Sequence, residues 1–289
     1  LEAHGTAGFA PGPAAEVRAR RLARARYERA LVSVTEALTG AGIPHVFAKG
    51  WALARLHPRG ARRCGDIDVF VQATDVERAR ALGRATSPRV DVDVHGGFGY
   101  LTRAPMEEVL RRSRQLALGD ARIPVPAAED HLRLVTEHAL KHGLARAIWA
   151  VDVATLLEHA PDAARSLVAR TAAGRATRWW RAAWAGCAEL VGVPAPADLL
   201  DAADLRRGRW LAARTRARWS RHPAPGRPAA LHLLRGGQPW HRRLVEIRDP
   251  VGAMARLGVP PVPALAFASE VVDAARRAGR LAARRLRRS

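Results

Sequence analysis

Between Val90 and His95 the chain alternates strictly, so that Val90, Val92 and Val94 share one face of a strand and Asp91, Asp93 and His95 share the other. A second run, Asp66-Ile67-Asp68-Val69-Phe70-Val71, reads the same way: Asp66 and Asp68 go to one side and Ile67 to the other. The short apolar run at 45–48 predicts a third, buried strand. Helical spacing fills the intervals. Over 14–38, Val17, Leu22, Ala25, Leu31 and Val34 recur at intervals near three and four, an amphipathic helix that Thr39-Gly40-Ala41-Gly42 stops. Residues 51–57 predict a helical turn or two ending at Pro58, and 59–65 a loop. Thr74 is the expected N-cap of a helix that continues to Thr86. Helices and acidic strands in alternation describe a small α/β sheet whose polar face gathers three carboxylates.

Beyond Thr102 the period changes. Ile123-Pro124-Val125-Pro126 is extended and punctuated by proline, and two helices follow, over about 128–143 and 146–159. The stretches 177–193 and 198–219, and the segment from about Ala264 to the terminus, also read as helices. The expected fold class is therefore α+β, a small mixed sheet with helices followed by a predominantly helical domain. The expected organisation is a loose N-terminus at 1–13, an α/β domain at 14–104 and a helical domain at 105–289.

Composition changes this picture little. No stretch approaches the roughly 20 apolar residues of a membrane span, and the start carries no basic-then-apolar leader, so no membrane partner is expected. Cys64 and Cys187 form neither a disulfide framework nor a metal motif by spacing, which points to a cytoplasmic setting. The formal charge of +21 would suit a polyanion. However, Lys49 and Lys141 are the only lysines among 48 basic residues, and an arginine- and alanine-biased coding sequence accounts for much of the basicity. Triphosphate or RNA remain the polyanions to consider.

Charge pattern matters more than charge total. Two carboxylates side by side repel one another and are seldom kept without a cation between them. Three on adjacent strands can hold one or two Mg²⁺ ions, hard cations that prefer oxygen ligands. Lys49-Gly50, between the first strand and the next helix, places a cation and a close-approaching backbone where phosphates would sit. His138 and His142 lie four apart on one helical face, but no glutamate follows His138, so the zinc-protease helix motif is absent. With Lys141 and Asp152 they are candidates to line a cleft, as are Asp91 and His95. The tryptophans of the helical half read as packing.

The block 45–71, from His-Val-Phe-Ala-Lys-Gly to Asp-Ile-Asp-Val-Phe-Val, resembles the glycine-motif helix and Asp-x-Asp strand of the polymerase-beta-like nucleotidyltransferases. Within them it resembles an uncharacterised bacterial branch. Val-Asp-Val-His at 92–95 resembles that branch's Asp-x-His strand, and 123–143 and 148–157 its helices, so that roughly 43–157 is covered. The resemblance implies a nucleotidyltransferase-type sheet with Asp66, Asp68 and Asp93 as metal-binding and catalytic carboxylates. It also implies Lys49, Gly50, Trp51 and Arg63 at the nucleotide, two Mg²⁺ ions, and an NTP as co-substrate. The active site is expected in the cleft between the two domains. The reaction implied is transfer of a nucleoside monophosphate to an unidentified acceptor, a peptide or small molecule ahead of RNA, in peptide natural-product tailoring. Trp51 departs from the small residue usual after the glycine. An inactive nucleotide- or peptide-binding relative and an RNA-directed transferase are the alternatives.

Overall fold

The computed structural model describes residues 13–58, 61–62, 64–100, 104–171 and 175–221. The architecture is α+β, with a small mixed sheet and its helices followed by a helical region. The helix expected from about Ala264 onward lies outside the described residues.

The chain falls into two compact units. The first gathers the described residues up to Gly97 together with Met106–Pro126. Helix α1, Pro13–Gly40, opens it. Its buried face is Tyr27, Leu31, Val34 and Leu38, at spacings of four and three. Leu22, expected on that face, is instead 56% exposed, within a stretch from Arg18 to Arg26 that is exposed throughout. The helix closes with a Schellman pair: Gly42 N–H bonds to the Thr39 carbonyl and Ile43 N–H to that of Leu38. Gly42, at φ 66°, supplies the left-handed turn. Ile43 then packs in the same core as Leu38.

This turn delivers the chain into β1, His45–Ala48. Helix α2, Gly50–Ala54, follows, and then β2, Asp66–Val71. A single 3₁₀ turn at Ala73–Asp75 leads into α3, Val76–Thr86, so Thr74 lies within the turn and Asp75 precedes the helix. Strand β3, Asp91–Gly96, completes a sheet of order β1-β2-β3. β1 runs antiparallel to β2; β3 runs parallel to it, as the intervening α3 crossover requires. Ile67, Val69, Val71 and Val94 join the core with α1.

Helix α4, Met106–Arg112, and the hairpin of β4, Arg114–Leu118, and β5, Ala121–Val125, also belong to this unit. β5 packs beside β1, and its Ile123 and Val125 are core residues. The sequence reading treated the end of this region only as extended chain.

The second unit comprises Phe98–Pro105 and the described residues from Ala127. Its helices are α5, Ala128–Lys141; α6, Ala147–His159; α7, Pro161–Arg170; α8, Arg175–Val191; and α9, Ala202–Arg221. α5 is buried along almost its whole length. Trp184 donates its indole N–H to Thr136 Oγ1 at 3.0 Å, tying α8 to α5. α8 and α9 meet at Gly186 and Gly208, so closely that a Cβ on Gly208 would lie 2.5 Å from that of Ala185. No helix among the described residues is long and apolar enough to cross a membrane.

Candidate functional site

The parallel register of β2 and β3 pairs Asp66 with Asp91, Asp68 with Asp93, and Phe70 with His95. Residues paired in register on neighbouring strands share a face, so the polar side of one strand meets that of the next. Asp68 is also the partner of Ala48 across β1 and β2. The next residue, Lys49, is thereby brought to the same carboxylate.

Lys49 Nζ forms an ion pair with Asp68 Oδ1. His95 Nε2 donates to the same oxygen at 3.0 Å and lies 3.3 Å from Asp93 Oδ2. The His95 ring stacks on Phe70, with centroids 4.5 Å apart and planes 16° from parallel, which sets its orientation. Asp68, Asp93 and His95 each offer one ligand atom, and these atoms all lie within 4.8 Å of one another. Two carboxylates and an imidazole suit a divalent cation, and the nitrogen donor accommodates Mn²⁺ at least as well as Mg²⁺.

Lys49 holds φ 59° and ψ −135°, a region that glycine favours and in which a side chain costs about 1–3 kcal/mol. Its side chain is nevertheless buried, 9% of the residue being exposed. A buried ammonium is tolerable only when paired, and Asp68, itself 5% exposed, is the pair. Burial pushes the Asp68 carboxyl up. The Lys49 ammonium and the His95 hydrogen bond outweigh it and hold the group below the ordinary carboxylate value. Asp66 is displaced the other way. Enclosure by the surrounding protein and then the charge of Asp68 raise it, against the pull of Lys49.

Gly50 is needed for close packing. A Cβ there would lie 2.9 Å from Tyr27 Oη, and that hydroxyl donates to the Asp66 carbonyl at 2.9 Å. The Tyr27 phenol is pushed well up, first by burial. Trp51, expected beside the nucleotide, contributes its indole to the core of the first unit; it is 3% exposed and donates from Nε1 to Glu28 Oε1 at 3.3 Å. Arg63 lies outside the described residues. Its neighbour Arg62, which the sequence reading passed over, donates to the Gly50 carbonyl at 3.1 Å. Two adjacent arginines in a loop gave no periodicity by which to choose. Asp91 is exposed and paired with Asp66.

In the second unit, taken by itself, His138, His142 and Trp149 form a ring cluster. His138 and His142 lie 4.6 Å apart, and Trp149 about 5 Å from each. Tyr100 adjoins His138, and Lys141 Nζ sits 4.7 Å over the Tyr100 ring. Asp152 is buried. Glu137, fully buried, accepts the Tyr100 N–H at 2.7 Å and pairs with Arg133, which fixes the Phe98–Tyr100 segment. Neither Tyr100 nor Glu137 stood out in the sequence, since neither belongs to a periodic pattern that faces the cluster.

A search of curated proteins found no match to this chain. Residues 14–85, which span nearly all of α1, then β1, α2, β2 and most of α3, match the model of a family described as uncharacterised nucleotidyltransferase.

Proposed function

We propose that this protein is a divalent-metal-dependent nucleotidyltransferase that moves a nucleoside monophosphate from an NTP to an acceptor and releases pyrophosphate. The observation that carries the reading is the Asp68–Asp93–His95 cluster on the paired strands β2 and β3, with β2 inside the segment that matches the family model. Asp66, Asp68 and Asp93, with His95 as a further donor, would hold the metal. Mg²⁺ is the ion we assign, and two ions the number. When bound, the metal supplies charge neutralisation for the phosphates and the leaving pyrophosphate.

The side chains have separate tasks. Asp93, whose side chain is 60% exposed, is open to an incoming acceptor and is assigned to orient it and take its proton. In the metal-free site His95, stacked on Phe70, holds Asp68 and Asp93 through Nε2; as a metal donor it would give up that hydrogen bond. Lys49, Gly50 and Arg63 are assigned to the phosphates, with Arg62 supporting the Gly50 backbone. The inactive-relative alternative drew on the bulk of Trp51, but that indole lies among the core side chains. The ring cluster of His138, His142 and Trp149 with Lys141 is proposed as an acceptor-binding surface of the helical unit, and Asp152 as its support. We favour a peptide or small molecule as acceptor, in natural-product tailoring, and a cytoplasmic setting.

The test is pyrophosphate release from each labelled NTP with Mg²⁺ or Mn²⁺ and a panel of acceptors. Wild type should release it with at least one pair, and Asp68→Ala/Asp93→Ala should fall to background. Equal behaviour of the two proteins with every acceptor would sink the reading.

A further inference from the structure

Lys49 combines features that are each unfavourable alone. Its backbone lies where glycine is preferred, its side chain is buried, and it is one of two lysines in a chain that otherwise uses arginine. All three place one compact charge on one atom, Asp68 Oδ1. An arginine would spread the charge over a planar fork that matches both oxygens of a carboxylate rather than one. Asp68 also belongs to the donor set that fits a divalent cation. An ammonium and a divalent ion on the same buried carboxylate repel each other with little screening. His95, also bonded to Oδ1, further crowds that oxygen.

Building on the nucleotidyltransferase reading, we propose that Lys49 is a resident competitor for the divalent ion at Asp68. It keeps affinity for the free ion low, so that the ion is taken up together with a triphosphate, whose negative charge offsets the ammonium. Lys49 thus sets the order of assembly of the site as well as contributing to the phosphate side. The backbone strain is the cost of holding the ammonium at that one oxygen.

Binding of Mn²⁺ followed by electron paramagnetic resonance tests this without turnover. Wild type, Lys49→Gln, Lys49→Gly and Asp68→Ala/Asp93→Ala are each titrated with Mn²⁺ alone and with Mn²⁺ plus inorganic tripolyphosphate. Lys49→Gly relieves the positive φ and so keeps the test available if the glutamine variant folds poorly. Both Lys49 variants should bind free Mn²⁺ about tenfold more tightly than wild type, and should retain the tripolyphosphate complex less well than wild type. Free-ion affinity equal to or below that of wild type in the folded Lys49 variants overturns the competitor role. Mn²⁺ binding that is undetectable in every protein, or that survives Asp68→Ala/Asp93→Ala, removes the metal-site reading itself, a separate and recognisable failure.

Discussion

Asp66 and Asp68 stand two residues apart on one strand and respond to pH in opposite senses. The folded-state value of Asp68 is held below the ordinary 3.8. Its contribution to stability is therefore complete above that value and disappears as pH falls through the lower folded one. The folded-state value of Asp66 is raised above 3.8, so folding favours its protonated form. That advantage exists below the unfolded value and is lost as pH rises through the folded one. At neutral pH the ionised Asp66 therefore works against the fold. Asp66→Asn should raise the urea midpoint of the metal-free protein at pH 7, and the gain should shrink toward pH 3. A gain that is constant over this range would show that charge is not its origin. The strand's alternation accounts for the carboxylates' common face, and their different neighbours account for the opposite shifts.

At the scale of elements, two close approaches rest on absent side chains. Gly50 lets α2 sit against Tyr27, and the Gly186–Gly208 contact lets α8 and α9 meet backbone to backbone. In Gly208→Ala the new methyl would meet Ala185 Cβ and the Gly186 nitrogen, so one helix must shift. A cost of about 1–3 kcal/mol is expected, read as faster amide exchange along α8 and α9. Unchanged protection there would mean that the pair tolerates the added carbon. The β4–β5 hairpin shows how an element can be overlooked. Gly119-Asp120 is a two-residue turn between strands paired from Leu118–Ala121 to Arg114–Val125, and Gly-Asp between apolar-containing runs is a hairpin signal. The prolines at 124 and 126 marked the segment as extended chain without a partner strand, yet Pro124 is tolerated within β5.

At the scale of the whole molecule, the formal charge of +21 sets a background that chemistry must rise above. Arginines from Arg18 to Arg26 on α1 and along α9 are exposed, a surface able to retain polyanions without selecting among them. Any RNA retained at low salt should be released steeply as salt rises toward about 150 mM, and Asp68→Ala should retain it equally while losing pyrophosphate release. RNA binding that resists salt and fails in Asp68→Ala would instead favour an RNA acceptor at the site itself.

The sequence by itself determined whatever depends on local period. Alternation placed the acidic rows on β2 and β3, helical spacing located α1, α3, α5, α6, α8 and α9 but passed over α4 and α7, and the Lys49-Gly50 turn followed from its position between a strand and a helix. Tertiary structure decided whatever depends on which faces meet. Alternation put Asp91 and Asp93 on one face, and only the Asp-x-His resemblance favoured Asp93; the parallel register sets Asp93 beside Asp68 and brings His95 to both. It turned Trp51 into the core, exposed Leu22, and placed Arg62 on the Gly50 carbonyl. It also seated the Lys49 ammonium on Asp68 from a backbone conformation that no local propensity favours. Period is a property of neighbours along the chain, whereas register, burial and ion pairing are settled only when segments distant in sequence compete for the same space and charge.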